Sequence, residues 1–146
     1  MNILKPRKLL ALLAALCLSA PVLAAGLDAT DAGDYVWLHP QTEQPLSTQM
    51  RLFLQGPQWM MDGKQEPGDW QPVCRASGDC RLQASSEADV KGFKATLPAQ
   101  WQAYPFACIQ NVAMAFCRVR NQDRRAYWLF TLVGGQTTPI PLNRLR

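Results

Sequence analysis

The sequence predicts an all-β domain, mainly antiparallel, built as a small sandwich or open barrel of about seven or eight short strands with two disulfides and little helix. Three observations carry that reading. Apolar residues recur at every second position in several short runs, as with Met50, Leu52 and Leu54 set between Arg51, Phe53 and Gln55. Turn pairs punctuate the chain, among them Gly56-Pro57, Asp62-Gly63, Pro67-Gly68 and Gly134-Gly135. An even number of cysteines follows a segment with the marks of an export signal.

That segment comes first. Lys5, Arg7 and Lys8 precede an apolar run from Leu9 to Leu18, and Val22-Leu23-Ala24 places small or neutral residues before Ala25. The run is short of the roughly 20 residues that span a bilayer. Residues 1–24 therefore read as a cleaved secretory signal, residues 25–34 as a flexible lead-in, and residues 35–146 as one β domain, soluble and periplasmic or secreted. The chain of 146 residues, 48% apolar and 18% charged, suits a single globular domain.

Along the body, Tyr35–Leu38 is a short strand stopped by Pro40, and Gln41–Ser47 is loop. Met50–Gln55 is a half-buried strand by its alternation. Trp59-Met60-Met61 is a further apolar run, with Asp62-Gly63 expected to turn the chain back after it. Glu66–Asp69 is another turn. Ser85–Val90 holds at most one helical turn, Phe93, Ala95 and Leu97 share a strand face, and Pro98–Pro105 is irregular or a short helix. Ala115, Cys117 and Val119 alternate with Phe116, Arg118 and Arg120. Tyr127–Val133 is apolar on both faces, which suits a central strand. Pro139 and Pro141 make the last segment an edge strand at best.

Cys17 leaves with the signal, so Cys74, Cys80, Cys108 and Cys117 remain. Ala76-Ser77-Gly78 fits a three-residue hairpin loop with Gly in the left-handed position, which sets Cys74 opposite Cys80. Cys108 and Cys117 then pair by elimination. A helix from Cys108 to Cys117 would rise about 13.5 Å, whereas bridged Cα atoms lie within about 7 Å. The bridge therefore requires the chain to double back near Asn111–Met114.

The mature chain holds twelve basic and eleven acidic residues, so the headline charge of +4 belongs mostly to the leader and is no nucleic-acid footprint. Residues 25–90 carry a net of −6 and residues 91–146 a net of +7. In a domain this small the two halves are expected to interleave and neutralise one another.

No phosphate-binding loop, nucleophile elbow or zinc-protease motif occurs. His39 is the sole imidazole and reads as a strand-end residue. A metal site is disfavoured, because C-x5-C is looser than usual ligand spacing. Met50, Met60, Met61 and Met114 are soft enough for Cu(I) but read as core filling. The candidate recognition residues are Arg118, Arg120, Arg124 and Arg125, which can grip carboxylates or phosphates, together with Trp59 and Trp70 as exposed aromatic anchors.

The function expected from these residues is that of a non-enzymatic binding protein without cofactor. Its expected form is an inhibitor or immunity protein that neutralises a toxin or hydrolase of the bacterial envelope. An envelope ligand-binding or assembly module for wall glycan or lipid is the alternative. A small hydrolase built on carboxylates such as Glu43, Glu66 and Glu87 is a weaker one.

Overall fold

The computed structural model describes residues 26–75 and 78–146. It is mainly antiparallel β with little helix, a nine-stranded sheet curled into a half-barrel. The strands are β1 (Gly33–Leu38), β2 (Pro45–Gln55), β3 (Gln58–Gln65), β4 (Gln71–Cys74), β5 (Gln83–Ala84), β6 (Phe106–Gln110), β7 (Met114–Asn121), β8 (Arg124–Val133) and β9 (Gln136–Arg144). Two helices, α1 (Glu87–Ala95) and α2 (Ala99–Gln102), lie between β5 and β6. The order across the sheet is β4-β3-β2-β1-β9-β8-β7-β6-β5. Each half of the chain is thus a meander, and the two meet where β1 pairs with β9.

Strand alternation sorts the apolar residues onto two faces. Inside the curl, Tyr35, Leu52, Met61, Phe116, Tyr127 and Leu129 form the larger core. Outside it, α1 and α2 cover β6–β8, packing Phe93 and Leu97 onto Phe106, Val119 and Phe130. Trp101 meets Trp128 edge-on at 5.7 Å.

The bridge between Cys108 and Cys117 is present, at a Cα separation of 4.2 Å, between directly opposed residues of β6 and β7. The chain doubles back at Asn111–Ala113, where the Asn111 side chain accepts hydrogen bonds from the Ala113 and Met114 amides.

Several local expectations give way. Phe93 and Leu97 do not share a strand. Ser86 caps α1 by accepting from the Asp89 amide, Val90 and Phe93 follow at helical spacing, and Leu97 lies just past the C-cap, Thr96. Asp62-Gly63 does not turn the chain: β3 runs straight through, and the hairpin closes at Gly56-Pro57, with Gly56 at φ 59°. A Cβ on Gly63 would stand 2.9 Å from Val73 Cγ2, so the glycine admits a close neighbour in β4 instead.

The proline-bearing β9 is central, not an edge. Its ladder with β1 covers only Leu142–Arg144, so Pro139 and Pro141 lie beyond the paired stretch and no ladder donor is missed on that side. Cys74 and Cys80 do not face each other across a hairpin either. Cys74 ends β4, Gly78–Cys80 is a 3-10 turn, and the chain then leaves for the far edge of the sheet. Ala76 and Ser77, the first residues of the expected loop, lie outside the described residues.

Candidate functional site

The curled sheet has two ends, and they differ in kind. One is sealed by charge. The segment Gly26–Ala32 lies across it, and Asp31 within that segment is completely buried. Asp28 and Asp31 cap one 3-10 turn (Ala29–Asp31) reciprocally, so the local sequence Asp-Ala-Thr-Asp fixes the fold of the segment. The Asp31 carboxylate accepts from Arg118 Nη1 at 2.5 Å and from the Tyr127 hydroxyl at 3.1 Å, and Arg125 Nη1 lies 3.4 Å away. Arg118 also donates to the Gly26 carbonyl oxygen, and Arg144 donates to the Thr30 and Ala32 carbonyl oxygens. The lead-in expected to be flexible is therefore tied down from Gly26 onward.

This placement sorts the four arginines. Arg118 and Arg120 do share a strand face, as alternation requires. That face is the inside of the curl, so Arg118 is buried while Arg120, one step further along, is exposed. Arg125 leans onto Asp31 and the Thr30 hydroxyl, and Arg124 stays exposed. Arg118 and Arg125 hold the chain's own N-terminal segment, while Arg120 and Arg124 remain on the surface. The acidic first half meets the basic second half through these pairs, and again where Asp34, paired with Arg51 of its own half at 2.7 Å, binds Arg146 at 2.8 Å. The Arg51 hydrogen bond, reinforced by Arg146, holds the Asp34 carboxyl below the usual carboxylate range against the opposing effect of burial.

The tryptophans are not bare anchors. Trp59 is buried in the inner core. Trp70 is half-buried on the outer face, with the Arg51 guanidinium 4.2 Å and the Lys64 ammonium 5.0 Å from its ring centre. Stacking under two cations occupies the face that a partner would use. His39 closes β1, and its Nδ1 accepts from the Gln41 and Thr42 amides in the following turn. Glu43 lies in the β1–β2 loop, Glu66 pairs with Lys64 beyond β3, and Glu87 opens α1.

The other end of the half-barrel is open. A cleft of about 790 Å³ enters the curl between the β2–β4 wing and β7–β8. Met50, Met61 and Leu129 lie within it as part of the inner core, and Trp37 and Met114 line it further out. Val73 and Val133, both well exposed, stand on its rim. The polar residues around the rim are mostly uncharged, Thr48, Gln49, Gln65, Gln71 and Thr131. Two of its charges are already matched, Asp62 by Arg75 and Lys64 by Glu66, each at 2.6 Å. The third charge, Asp69, is exposed. A water-facing concavity with an apolar lining and a mostly uncharged polar border can hold an apolar group and place its polar end in solvent.

Single-sequence reasoning missed this site. The only signal for it was the set of methionines, of which Met50, Met61 and Met114 meet at the cleft while Met60 turns to the other face of β3. Among the described residues no group of three or more His, Cys, Asp or Glu is placed to hold a metal ion. No helix among them is long and apolar enough to cross a membrane. Comparison with family models, with curated proteins and with solved structures returns no match.

Proposed function

We propose that the chain is an exported, non-enzymatic binding protein that holds an apolar ligand, the acyl chain of an envelope lipid, in the open end of its half-barrel. The cleft carries this reading. Its volume of about 790 Å³ lies within the span of small-ligand sites. Its three methionines are the side chains best able to repack around chains of different shape. The apolar rim at Val73 and Val133 gives the ligand a way in.

The test is uptake of a dansylated fatty acid by the processed protein, read by fluorescence and competed with envelope lipid. Saturable micromolar binding is expected. Met114→Glu, at a half-buried position on the wall, should weaken binding at least about tenfold, equivalent to ~1.4 kcal/mol, with an unchanged melting temperature. No saturable uptake, or uptake indifferent to Met114→Glu, overturns the reading.

Neutralisation of an envelope toxin or hydrolase is the second reading. Its support is narrower than the sequence suggested: Arg120 and Arg124, exposed near the tip of the β7–β8 hairpin, remain available to an acidic partner. A stoichiometric protein complex recovered from envelope extract, lost in Arg120→Ala/Arg124→Ala and formed without lipid uptake, would put this reading first.

A further inference from the structure

Consecutive strands β4 and β5 lie at opposite edges of the sheet, and Gly78–Leu82 belongs to the connection that leads from one edge to the other, the crossing segment. Three groups meet at the crossing. Cys74, fully buried, ends β4, and Cys80, half-buried, ends the 3-10 turn. Asn111, in the β6–β7 turn, donates from Nδ2 to the Cys80 carbonyl oxygen at 3.0 Å and reaches Cys74 Sγ at 3.5 Å. Cys74 Sγ packs against the Cys80 carbonyl oxygen, and Cys80 Sγ lies 3.1 Å from the Val73 carbonyl oxygen. The two thiols are thus close neighbours, and they are not bonded to each other. Beyond them Gln58 holds the crossing segment by donating to the Leu82 carbonyl oxygen at 3.1 Å, and Leu82 is buried in the inner core.

We propose that Cys74 and Cys80 form an oxidisable clasp that locks this crossing segment in place and thereby fixes both walls of the cleft. Val73 on one wall directly precedes Cys74, and Ala113 and Met114 on the other follow Asn111. The effect on ligand rests on the cleft being the binding site. The clasp itself does not.

The chemistry is thiol–disulfide exchange with a disulfide-bearing donor. The more exposed Cys80 sulfur, as thiolate, attacks one donor sulfur. One Cys80–donor S–S bond forms, the donor S–S bond breaks, and the first donor thiol leaves. Cys74 then gives up its proton and attacks the Cys80 sulfur, expelling the second donor thiol. Two cysteine S–H bonds become one S–S bond, and the two electrons and two protons appear as two donor thiols. Burial, followed by the contact with Cys80, pushes the Cys74 thiol up to about 11. That makes Cys74 slow to attack and, on reduction, a poor leaving group, so the closed clasp resists opening.

The experiment incubates the processed chain in oxidised and reduced glutathione and maps thiols by alkylation and peptide mass. Hydrogen exchange is then followed at residues 81–82 and 113–114. Oxidation should join Cys74 to Cys80 and slow exchange at those amides at least about tenfold relative to Cys80→Ser, with Cys108–Cys117 intact in both. Dansylated fatty acid should bind the two forms with affinities at least about threefold apart. Alkylation of Cys80 in folded protein under full oxidation overturns the clasp, as does equal exchange in the two forms. Should Cys80→Ser fail to fold, the wild type across graded glutathione ratios supplies the same comparison. A closed clasp with slowed exchange but no fatty-acid uptake in either form leaves the clasp standing and overturns the cleft reading alone.

Discussion

Asp31→Asn removes the one negative charge that faces buried Arg118 most closely while keeping the side chain's shape. The Asp31 side chain is fully buried and that of Arg118 is 4% exposed, so salt and water screen their attraction little. The carboxylate also accepts from the Tyr127 hydroxyl and from the Asp28 amide. Taking the closest carboxylate from a buried pair leaves the cation poorly compensated, at a cost of about 3–5 kcal/mol, and the next carboxylate to Arg118, Asp28, lies 3.7 Å away on an exposed side chain. A domain of this size has about 5–15 kcal/mol in all, and the loss corresponds to a fall in Tm of about 10–20 °C. Urea unfolding read by tryptophan fluorescence measures it. The double replacement Asp31→Leu/Arg118→Met should be more stable than Asp31→Leu alone, with a coupling of about 2 kcal/mol or more across the cycle. A loss below about 1 kcal/mol for Asp31→Asn, or strict additivity in the cycle, would refute the view that this pair closes the barrel end.

Two further outcomes are expected. Cys108→Ser should cost about 2–3 kcal/mol in oxidising buffer, from the released loop entropy of a nine-residue separation, and an unchanged Tm would contradict it. For Asp34, the folded-state pKa lies below the ordinary value of 3.8, so its ion pairs stabilise the fold above that value. The contribution disappears as pH falls through the lowered folded value. Asp34→Asn should therefore be less stable at pH 7 by about 1–2 kcal/mol, a figure reduced for the partly exposed Arg51. The gap to wild type should close in strong acid, and a gap that persists at pH 2 would point to packing instead of charge.

Much of the sheet was legible because period-two alternation and paired turn residues act locally. Met50–Leu54, Ala115–Val119 and Gly134-Gly135 fall where those signals place them. The doubling back between Cys108 and Cys117 followed from the geometric conflict between a disulfide and a helix. What failed depended on partners distant in sequence. Gly63 carries a turn signature, but Val73 fills the space beside it. Pro139 and Pro141 lie beyond the stretch that β1 pairs with, yet the strand that contains them is the middle one. Alternation did place Arg118 and Arg120 on one strand face. Its direction depended on the curl of the sheet, which turns that face inward, and on Asp31, eighty-seven residues earlier. The cleft left the weakest trace of all, because its lining comes from both wings and no short segment contains it.

The ladder between β1 and β9 has only three residue pairs, continued by the backbone hydrogen bonds of Asp34 with Leu145 and Arg146, and it is the one strand pairing that unites the two meanders. Cut between residues 75 and 78, the described chain becomes two pieces with net charges of −4 and +5. Such fragments attract one another before any ladder forms, most strongly at low ionic strength. The same architecture that makes a narrow join therefore makes the molecule a natural split protein, whose reassembly could be tuned by salt alone.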